Sequence, residues 1–296
     1  MRTAATPQPI SRAHALIFLA AIKLCYHRGM RLAILADIHG NLIAFDAALA
    51  HARSQNPDKI ILAGDIVVGS PDSADCWRRA VSLGVPILRG NHERYVVELT
   101  AQQAADPQFA PIRWAAGQLT SDEIAAIARL PMSLVLREFP DTLFVHASLR
   151  DDRDNIAPHT PAAAIEPMFP GITERWIIRG HNHTCMMRPW RDGAIVTAGS
   201  VGLALDLYTT AQYLLMDRRG EGWDFRHVSV EYDLRAALDR FEQTGYLASA
   251  DPMARLFRRE LATASFQVVP FIRFYKELQK RERISLADAV EKFLVS

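Results

Sequence analysis

The chain has 296 residues, of which 49% are hydrophobic, so it can bury one large core or a core with a small appendage. Its 34 basic and 33 acidic side chains give a net charge of +1, which excludes the strong basic excess of a general nucleic-acid-binding protein. Its three cysteines, Cys25, Cys76 and Cys185, are widely separated and form no CxxC pair, which argues against a disulfide framework and a cysteine zinc site. A reducing, cytoplasmic setting is therefore expected.

The first segment of the chain has no role that the sequence identifies. Its apolar run, residues 15–22, is too short to span a bilayer, so no membrane association is expected. Arg2 and Arg12 ahead of the run give it a faint likeness to a signal peptide, but no small-x-small cleavage site follows cleanly. We expect residues 1–29 to be an N-terminal extension and the compact fold to start at Met30.

From Met30 onward, short apolar runs alternate with segments of helical period, which is α/β order. The runs that predict buried strands are residues 31–36, 59–63 and 85–88. The segments that predict crossover helices are residues 42–53, behind Asn41 as a cap, and residues 73–83, behind Asp72.

The middle of the chain loses this alternation. Residues 94–130 predict helices, with Thr120 and Glu123 spaced as a capping box, and this insert is expected to shape a substrate pocket. Strands are then predicted at residues 133–136, 142–145, 176–178, 194–198, 213–216 and 225–230. Several of them follow one another without a helix, which predicts a second, more antiparallel or mixed sheet packed on the first.

The end of the chain is helical in pattern. We expect one main domain at residues 30–232 and a C-terminal helical segment at residues 233–296, which would cover a cleft or mediate self-association into a homo-oligomer. The basic run at residues 280–283 predicts a solvated helix face rather than a nucleic-acid contact.

Polar side chains gather where predicted strands end, and they do so five times. The five clusters are Asp37-Ile38-His39-Gly40-Asn41, Gly64-Asp65, Gly90-Asn91-His92-Glu93, His146 and Gly180-His181-Asn182-His183. Ligands bind in α/β sheets in the crevice beyond the carboxyl ends of the strands, so the clusters are expected to converge there.

Each cluster alone is weak evidence for a metal site, since an Asp-x-His or a Gly-Asp is more often a simple turn. Together they supply seven candidate ligands and hold five of the ten histidines. Mixed oxygen and nitrogen donors without thiolate favour Mn, Fe, Zn, Co or Ni, whereas Mg or Ca alone would prefer oxygen ligands. Seven side chains exceed the needs of one ion that also holds water, so two ions sharing a carboxylate is the simplest interpretation.

In this order, the motifs resemble the D-x-H, G-D, G-N-H-D/E, H and G-H-x-H pattern of the calcineurin-like metallophosphoesterase superfamily. The chain is most similar to the small phosphodiesterase branch of YfcE-type phosphoesterases and diadenosine tetraphosphatase relatives, over residues 30–240. The resemblance implies an α/β fold in which two packed mixed β-sheets are flanked by helices, an αββα sandwich. This chain would add a C-terminal helical extension to that catalytic domain.

The resemblance also implies a role for each motif residue. The implied ligands are Asp37, His39 and His183 for the first metal ion and Asn91, His146 and His181 for the second. Asp65 would bridge two divalent ions, expected to be Mn, with Fe, Zn, Co, Ni or Mg as alternatives. His92 would protonate or stabilise the leaving oxygen, a task that suits an imidazole near neutral pH; alternatively, it only orients the site.

The chain departs from its relatives after the second strand. Protein phosphatases and diadenosine tetraphosphatases carry G-D-x-V-D-R-G there, whose Asp pairs with the catalytic histidine and whose Arg binds phosphate. Val68 and Gly69 occupy those two positions here. A phosphoprotein substrate is therefore not expected, and the sequence does not indicate what orients His92.

The expected activity is hydrolysis of phosphomonoesters or phosphodiesters, with small nucleotide-like substrates, by metal-activated water. A nuclease or a cyclic-nucleotide phosphodiesterase could use the same site, although the near-zero net charge disfavours binding along a nucleic acid. A scaffold of the same fold without turnover is the alternative from another class. Such relatives lose ligands or the catalytic histidine, whereas this sequence retains all eight positions.

Overall fold

The computed structural model describes residues 29–295, so all but the last residue of the predicted N-terminal extension, 1–29, lie outside it. The strands are β1 Arg31–Leu35, β2 Lys59–Leu62, β3 Ser133–Val135, β4 Thr142–Val145, β5 Trp176–Arg179, β6 Cys185–Trp190, β7 Gly193–Ala198, β8 Ala211–Arg219 and β9 Gly222–Val230. The helices up to β5 are α1 Leu42–Ser54, α2 Ser73–Ser82, α3 Asn91–Val97, α4 Ala101–Ala105, α5 Ala110–Gln118, α6 Ser121–Ala128 and α7 Ala162–Ile165. Those after β9 are α8 Leu234–Gln243, α9 Tyr246–Ser249, α10 Met253–Thr263, α11 Val268–Gln279 and α12 Leu286–Leu294.

The strands form two mixed sheets. One has the order β2-β1-β8-β9, with β1 parallel to β2 and antiparallel to β8. The other has the order β3-β4-β5-β7-β6, with a parallel centre and antiparallel edges. The last two predicted strands therefore complete the first sheet instead of joining the second.

The apolar core lies between the sheets and on both of their outer faces. Leu32 and Ile34 of β1 point into the space between the sheets and meet Phe144 and Ile178 of the second sheet. Their neighbours in the strand face the other way and pack with helix α1, because side chains alternate along a strand. Helices thus cover the paired sheets, which is the predicted αββα sandwich.

The third predicted strand, residues 85–88, is wrong. It is reduced to one parallel bridge between Leu62 and Ile87, made by the Leu62 N–H to Pro86 O and the Leu88 N–H to Leu62 O. Extending that ladder backward would require an N–H from residue 86, and proline has none.

One strand was missed in the sequence. β6 contains Arg188 and Pro189 and therefore lacks the apolar run that predicts a strand. It lies at the edge of the second sheet, where proline is tolerated because one side of the strand needs no ladder partner. The Cys185-Met186-Met187 run opens this strand.

The helix caps were predicted with mixed success. The Asn41 side chain accepts a hydrogen bond from the Ala44 N–H, and Thr120 forms its capping box with Glu123, both as predicted. Asp72 precedes α2 but makes no side-chain cap. Its carboxylate instead receives the guanidinium of Arg240 on α8, which ties the C-terminal helices to the sandwich. No described helix is both long and apolar enough to cross a membrane.

Candidate metal centre

The loops that follow β1 and β2 are joined by backbone hydrogen bonds. The Asp37 N–H donates to Gly64 O over 3.0 Å, and the His39 N–H donates to Asp65 O over 2.9 Å. Because β1 and β2 are parallel neighbours, both chains leave the sheet at the same edge. These bonds hold Asp37, His39 and Asp65 side by side.

Five of the seven predicted ligands adopt a left-handed backbone. The φ angles are 56° for Asp37, 51° for His39, 55° for Asp65, 72° for His181 and 57° for His183. Few residues other than glycine accept this region, although Asp and His do so more often than most. Such conformations are costly and concentrate at functional sites, where the surrounding structure enforces them.

Two motif glycines are required by close approach. A Cβ on Gly90 would lie 2.1 Å from Asp65 Oδ1, and one on Gly180 would lie 2.9 Å from Asp37 Oδ2. Any side chain at either position would displace a carboxylate, which explains why glycine opens the G-N-H-E and G-H-N-H motifs.

The first group of donors brings two imidazole nitrogens together. His39 Nδ1 donates to Val68 O over 2.8 Å, and His183 Nδ1 donates to Leu203 O over 2.7 Å. Each Nε2 of the neutral rings therefore presents a lone pair, and the two Nε2 atoms lie 3.0 Å apart. Two facing lone pairs repel each other unless a cation lies beside them. Backbone carbonyls that fix the tautomer in this way are typical partners of metal-binding histidines.

The second group is also built from acceptors. His146 Nδ1 donates to Ala63 O over 2.9 Å, so its Nε2 faces Asn91 Oδ1 at 3.1 Å and Asp65 Oδ2 at 3.2 Å. The ring of His181 lies 5.2 Å from that of His146. Nitrogen and oxygen donors without thiolate suit a borderline divalent cation.

Asp65 lies between the two groups. Its buried Oδ2 atom is 3.2 Å from His146 Nε2 and 3.7 Å from His39 Nε2. The donor atoms of Asp37, His39, Asp65 and His183 lie within 4.8 Å of one another, and so do those of Asp65, His146 and His181. The residues present fit two cations that share one carboxylate.

Burial sets the protonation preferences of this cluster. It raises the pKa of Asp37 to about 8, with the neighbouring Asp65 charge adding to the shift. It lowers the pKa of His181 to about 2 and that of His183 to about 4. Neutral imidazoles are the form that binds metal, and a bound cation would supply the positive charge that a buried, ionised Asp37 lacks.

A model of the calcineurin-like phosphoesterase family matches residues 30–185, which is more than half of the chain. The chain belongs to the calcineurin-like phosphoesterase family. The superfamily predicted from the motifs is thus confirmed, and the chain is a hydrolase that acts on phosphate esters. No curated protein matches the sequence.

Solved structures share this fold. A metallophosphoesterase from Sphaerobacter thermophilus is 22% identical, covers 79% of this chain and 100% of its own, and superposes with a TM-score of 0.65. A hypothetical protein from Pyrococcus horikoshii is 20% identical, covers 77% and 97%, and has a TM-score of 0.64. The Escherichia coli phosphoesterase Yfce is 15% identical, covers 68% and 100%, and has a TM-score of 0.41.

In this phosphoesterase, His92 is oriented by packing and by its backbone. Its N–H donates to Asp65 Oδ1 over 2.8 Å, and its ring lies edge-on to His39 at a centroid distance of 4.6 Å. The ring of Tyr95, three residues along α3, lies edge-on to His92 at a centroid distance of 5.3 Å. His92 Nε2 is 4.0 Å from Asp65 Oδ2. These contacts replace the carboxylate partner that Val68 cannot supply.

Glu93 has a role that the sequence did not reveal. Its fully buried carboxylate accepts the backbone N–H groups of Asp65 and Gly90 at 2.8 Å and that of Ile66 at 2.7 Å. The loops after β2 and before α3 are thereby joined through one side chain. The signal was its place in the G-N-H-E motif, but a glutamate there does not by itself indicate what it binds.

Arg179 was also missed. It ends the apolar strand β5 and is fully buried, and its guanidinium donates to Ala147 O, Asn182 Oδ1 and Asp154 O. It therefore holds the G-H-N-H loop against the segment after β4. A charged residue that ends an apolar strand was the available signal.

Proposed function

We propose that the chain hydrolyses phosphomonoesters or phosphodiesters of small molecules at a dinuclear metal centre. The implied ligands would be Asp37, His39 and His183 for one ion, Asn91, His146 and His181 for the other, and Asp65 for both. The observation that carries the proposal is the place of Asp65 Oδ2, which lies within 3.7 Å of an imidazole nitrogen from each group. Manganese is the expected metal, and Fe, Zn, Co, Ni and Mg are the alternatives.

Two divalent ions in such a site lower the pKa of a bound water and stabilise the attacking and leaving oxygens of a displacement at phosphorus. The residues of the chain have separate tasks. The Nδ1 hydrogen bonds of the histidines would leave their Nε2 atoms to the metal ions, and Glu93 fixes the loop that presents Asp65. His92 would give a proton to the leaving oxygen. The chain itself therefore supplies no covalent nucleophile.

A nuclease or a cyclic-nucleotide phosphodiesterase would use the same residues. The balanced charge of the chain favours a small ester over a nucleic acid, because binding along a phosphate backbone depends on clustered basic side chains. The resemblance also led to the expectation of a substrate with a nucleotide-like organic group. Such a substrate is therefore compared with the other phosphate esters.

The test combines metal content with turnover. Protein purified without chelator should hold two divalent ions per chain by mass spectrometry, and added Mn should restore hydrolysis of p-nitrophenyl phosphate or bis-p-nitrophenyl phosphate after chelation. Asp65→Asn should reduce kcat/KM by roughly 100-fold or more, because it removes the charge that both ions share. It should also lower the metal content.

Asp224→Asn is the matched control, since Asp224 is an exposed carboxylate on β9 that pairs with the exposed Arg219. It should retain both the metal and the activity of the parent protein. Turnover by Asp65→Asn equal to that of the control would refute the bridging role.

A further inference from the structure

A cavity of about 750 Å³ adjoins the metal centre. Its lining includes six of the eight motif residues, among them Asp65 and His92, so a phosphate at the centre would have its organic group within this space. The volume lies in the range of roughly 300–1,000 Å³ that is usual for small-molecule sites. The side chains that line the cavity therefore indicate which kind of organic group the substrate carries.

Most of the walls come from two segments outside the sheets. One is the insert that contains α3, α4 and α5, and the other consists of α10, α11 and the link between them. Their apolar lining side chains include Leu99, Phe109, Ile112, Phe266, Val269 and Ile272. Both segments thus present apolar side chains to the cavity that adjoins the metal centre.

Several polar side chains of the lining are already bonded to protein groups. Thr100 and Gln103 hydrogen-bond each other in a capping box, and Arg94 forms a two-point ion pair with Asp152. The Glu260 carboxylate accepts the backbone N–H groups of Gln267 and Val268. Side chains that are already hydrogen-bonded to the protein offer few hydrogen bonds to a sugar or a base. The polar atoms of a sugar or a base would therefore lose hydrogen bonds to water when they enter the cavity.

Two apolar side chains of the lining are also partly exposed to solvent. Phe266 and Val269 line the cavity and are still 49% and 48% exposed. An apolar ligand group that lies against them would remove their surface from water, and this burial is favourable.

We propose that the natural substrate is an amphiphilic phosphate ester, whose phosphate meets the metal centre and whose alkyl, isoprenoid or aryl group lies in this cavity. The inference rests on the proposed function and refines its substrate class. In the reaction, water oxygen bonds to phosphorus and the P–O bond to one ester group breaks. The leaving oxygen takes up a proton, and no oxidant or reductant is needed.

The test measures binding and turnover over one chain-length series. Methyl-, butyl- and octylphosphonate are titrated into the metal-loaded protein by calorimetry, with adenosine 5′-monophosphate as the nucleotide comparison. The matching p-nitrophenyl alkyl phosphates are assayed for hydrolysis. We expect affinity and kcat/KM to rise roughly threefold to fourfold per added methylene, the fold-change that corresponds to about 0.8 kcal/mol per buried methylene.

Variants locate the effect in the cavity. Ile272→Gln and Val269→Gln should each reduce the octyl-to-methyl ratio of affinities by at least about threefold. Val81→Gln, at a valine that is 52% exposed and outside the cavity lining, should leave the ratio unchanged. Val269 and Val81 are matched in exposure, so a general effect on stability would act on both.

Equal affinities for methyl- and octylphosphonate, or tighter binding of the nucleotide than of octylphosphonate, would overturn the inference. Length-dependent binding without hydrolysis of any ester would support the apolar site and overturn the proposed function. The binding and hydrolysis measurements therefore distinguish a failure of the substrate class from a failure of the proposed function.

Discussion

His92 lines the cavity and differs from three of the other four motif histidines. Its Nδ1 atom is buried and has no hydrogen-bond partner within residues 29–295, whereas the Nδ1 atoms of His39, His146 and His183 are fixed by carbonyls. A ring that is held by packing alone can keep Nε2 available to a substrate. Such availability agrees with a role in proton transfer.

The role of His92 predicts a dependence on the leaving group. His92→Ala should slow esters with poor, alkoxide leaving groups by about 100-fold to 10,000-fold, the usual contribution of a general acid. It should slow p-nitrophenyl esters far less, because p-nitrophenolate leaves without a proton. Steady-state rates over a series of aryl and alkyl esters measure this.

A uniform loss across that series would instead assign His92 to orientation of the site. His159→Ala, at an exposed histidine of the segment after β4, is the control, and it should follow the parent protein throughout.

Among single residues, the sequence was most informative for those that belong to the five motifs. Spacing and position at strand ends predicted all eight, and the structure brings their side chains into one cluster. Glu93 and Arg179 escaped because their partners are mainly backbone groups of other loops, which have no sequence signature. The ligand roles themselves stay predictions.

Among the elements, the short helix α9 links the C-terminal segment to the metal-site loops. Tyr246 is fully buried, and its hydroxyl donates to Gly69 O over 3.0 Å. Gly69 follows Val68, whose carbonyl fixes His39, so the helix supports the loop that carries this tautomer.

Removing that hydroxyl should destabilise the fold. Tyr246→Phe leaves Gly69 O without its buried donor, and we expect a loss of about 1–2 kcal/mol in the free energy of unfolding. Urea denaturation measures it. Tyr208→Phe, at a tyrosine that is 69% exposed, should change stability by less than about 0.5 kcal/mol. Equal stability of the two variants would contradict the role of this bond.

Elements were predicted well where apolar runs were uninterrupted and poorly where proline intervened. Pro86 prevents extension of the ladder at residues 85–88, and Pro189 conceals the edge strand β6. The C-terminal helices were predicted to cover a cleft or to mediate self-association, and α10 and α11 line the cavity. The domain boundary after residue 232 stays a prediction.

For the molecule as a whole, one buried carboxylate links stability to pH. Glu260 on α10 is 3% exposed, and burial raises its pKa to about 7, above its ordinary value of 4.5. Because the folded protein holds this proton more tightly than the unfolded chain, the contribution of Glu260 to stability is greatest below pH 4.5 and is lost as the pH rises through 7.

Glu260→Gln keeps an acceptor for the Gln267 and Val268 N–H groups and removes the charge. We expect it to match the parent protein at pH 5 and to exceed its stability at pH 8.5, by at most about 3 kcal/mol at 1.4 kcal/mol per pKa unit. Thermal and urea unfolding at several pH values measure this. Glu242→Gln, at an exposed glutamate of α8, should show no such trend, and a pH-independent difference for Glu260→Gln would exclude the linkage.

The backbone of Val68 has a φ of 65°, which is a true outlier for a β-branched residue and is far better tolerated by aspartate or asparagine. The relatives that carry G-D-x-V-D-R-G have aspartate at this position. The loop thus has a backbone shape that suits an aspartate at this position. A single replacement, Val68→Asp, would therefore put a carboxylate on a main chain that already has a conformation aspartate tolerates.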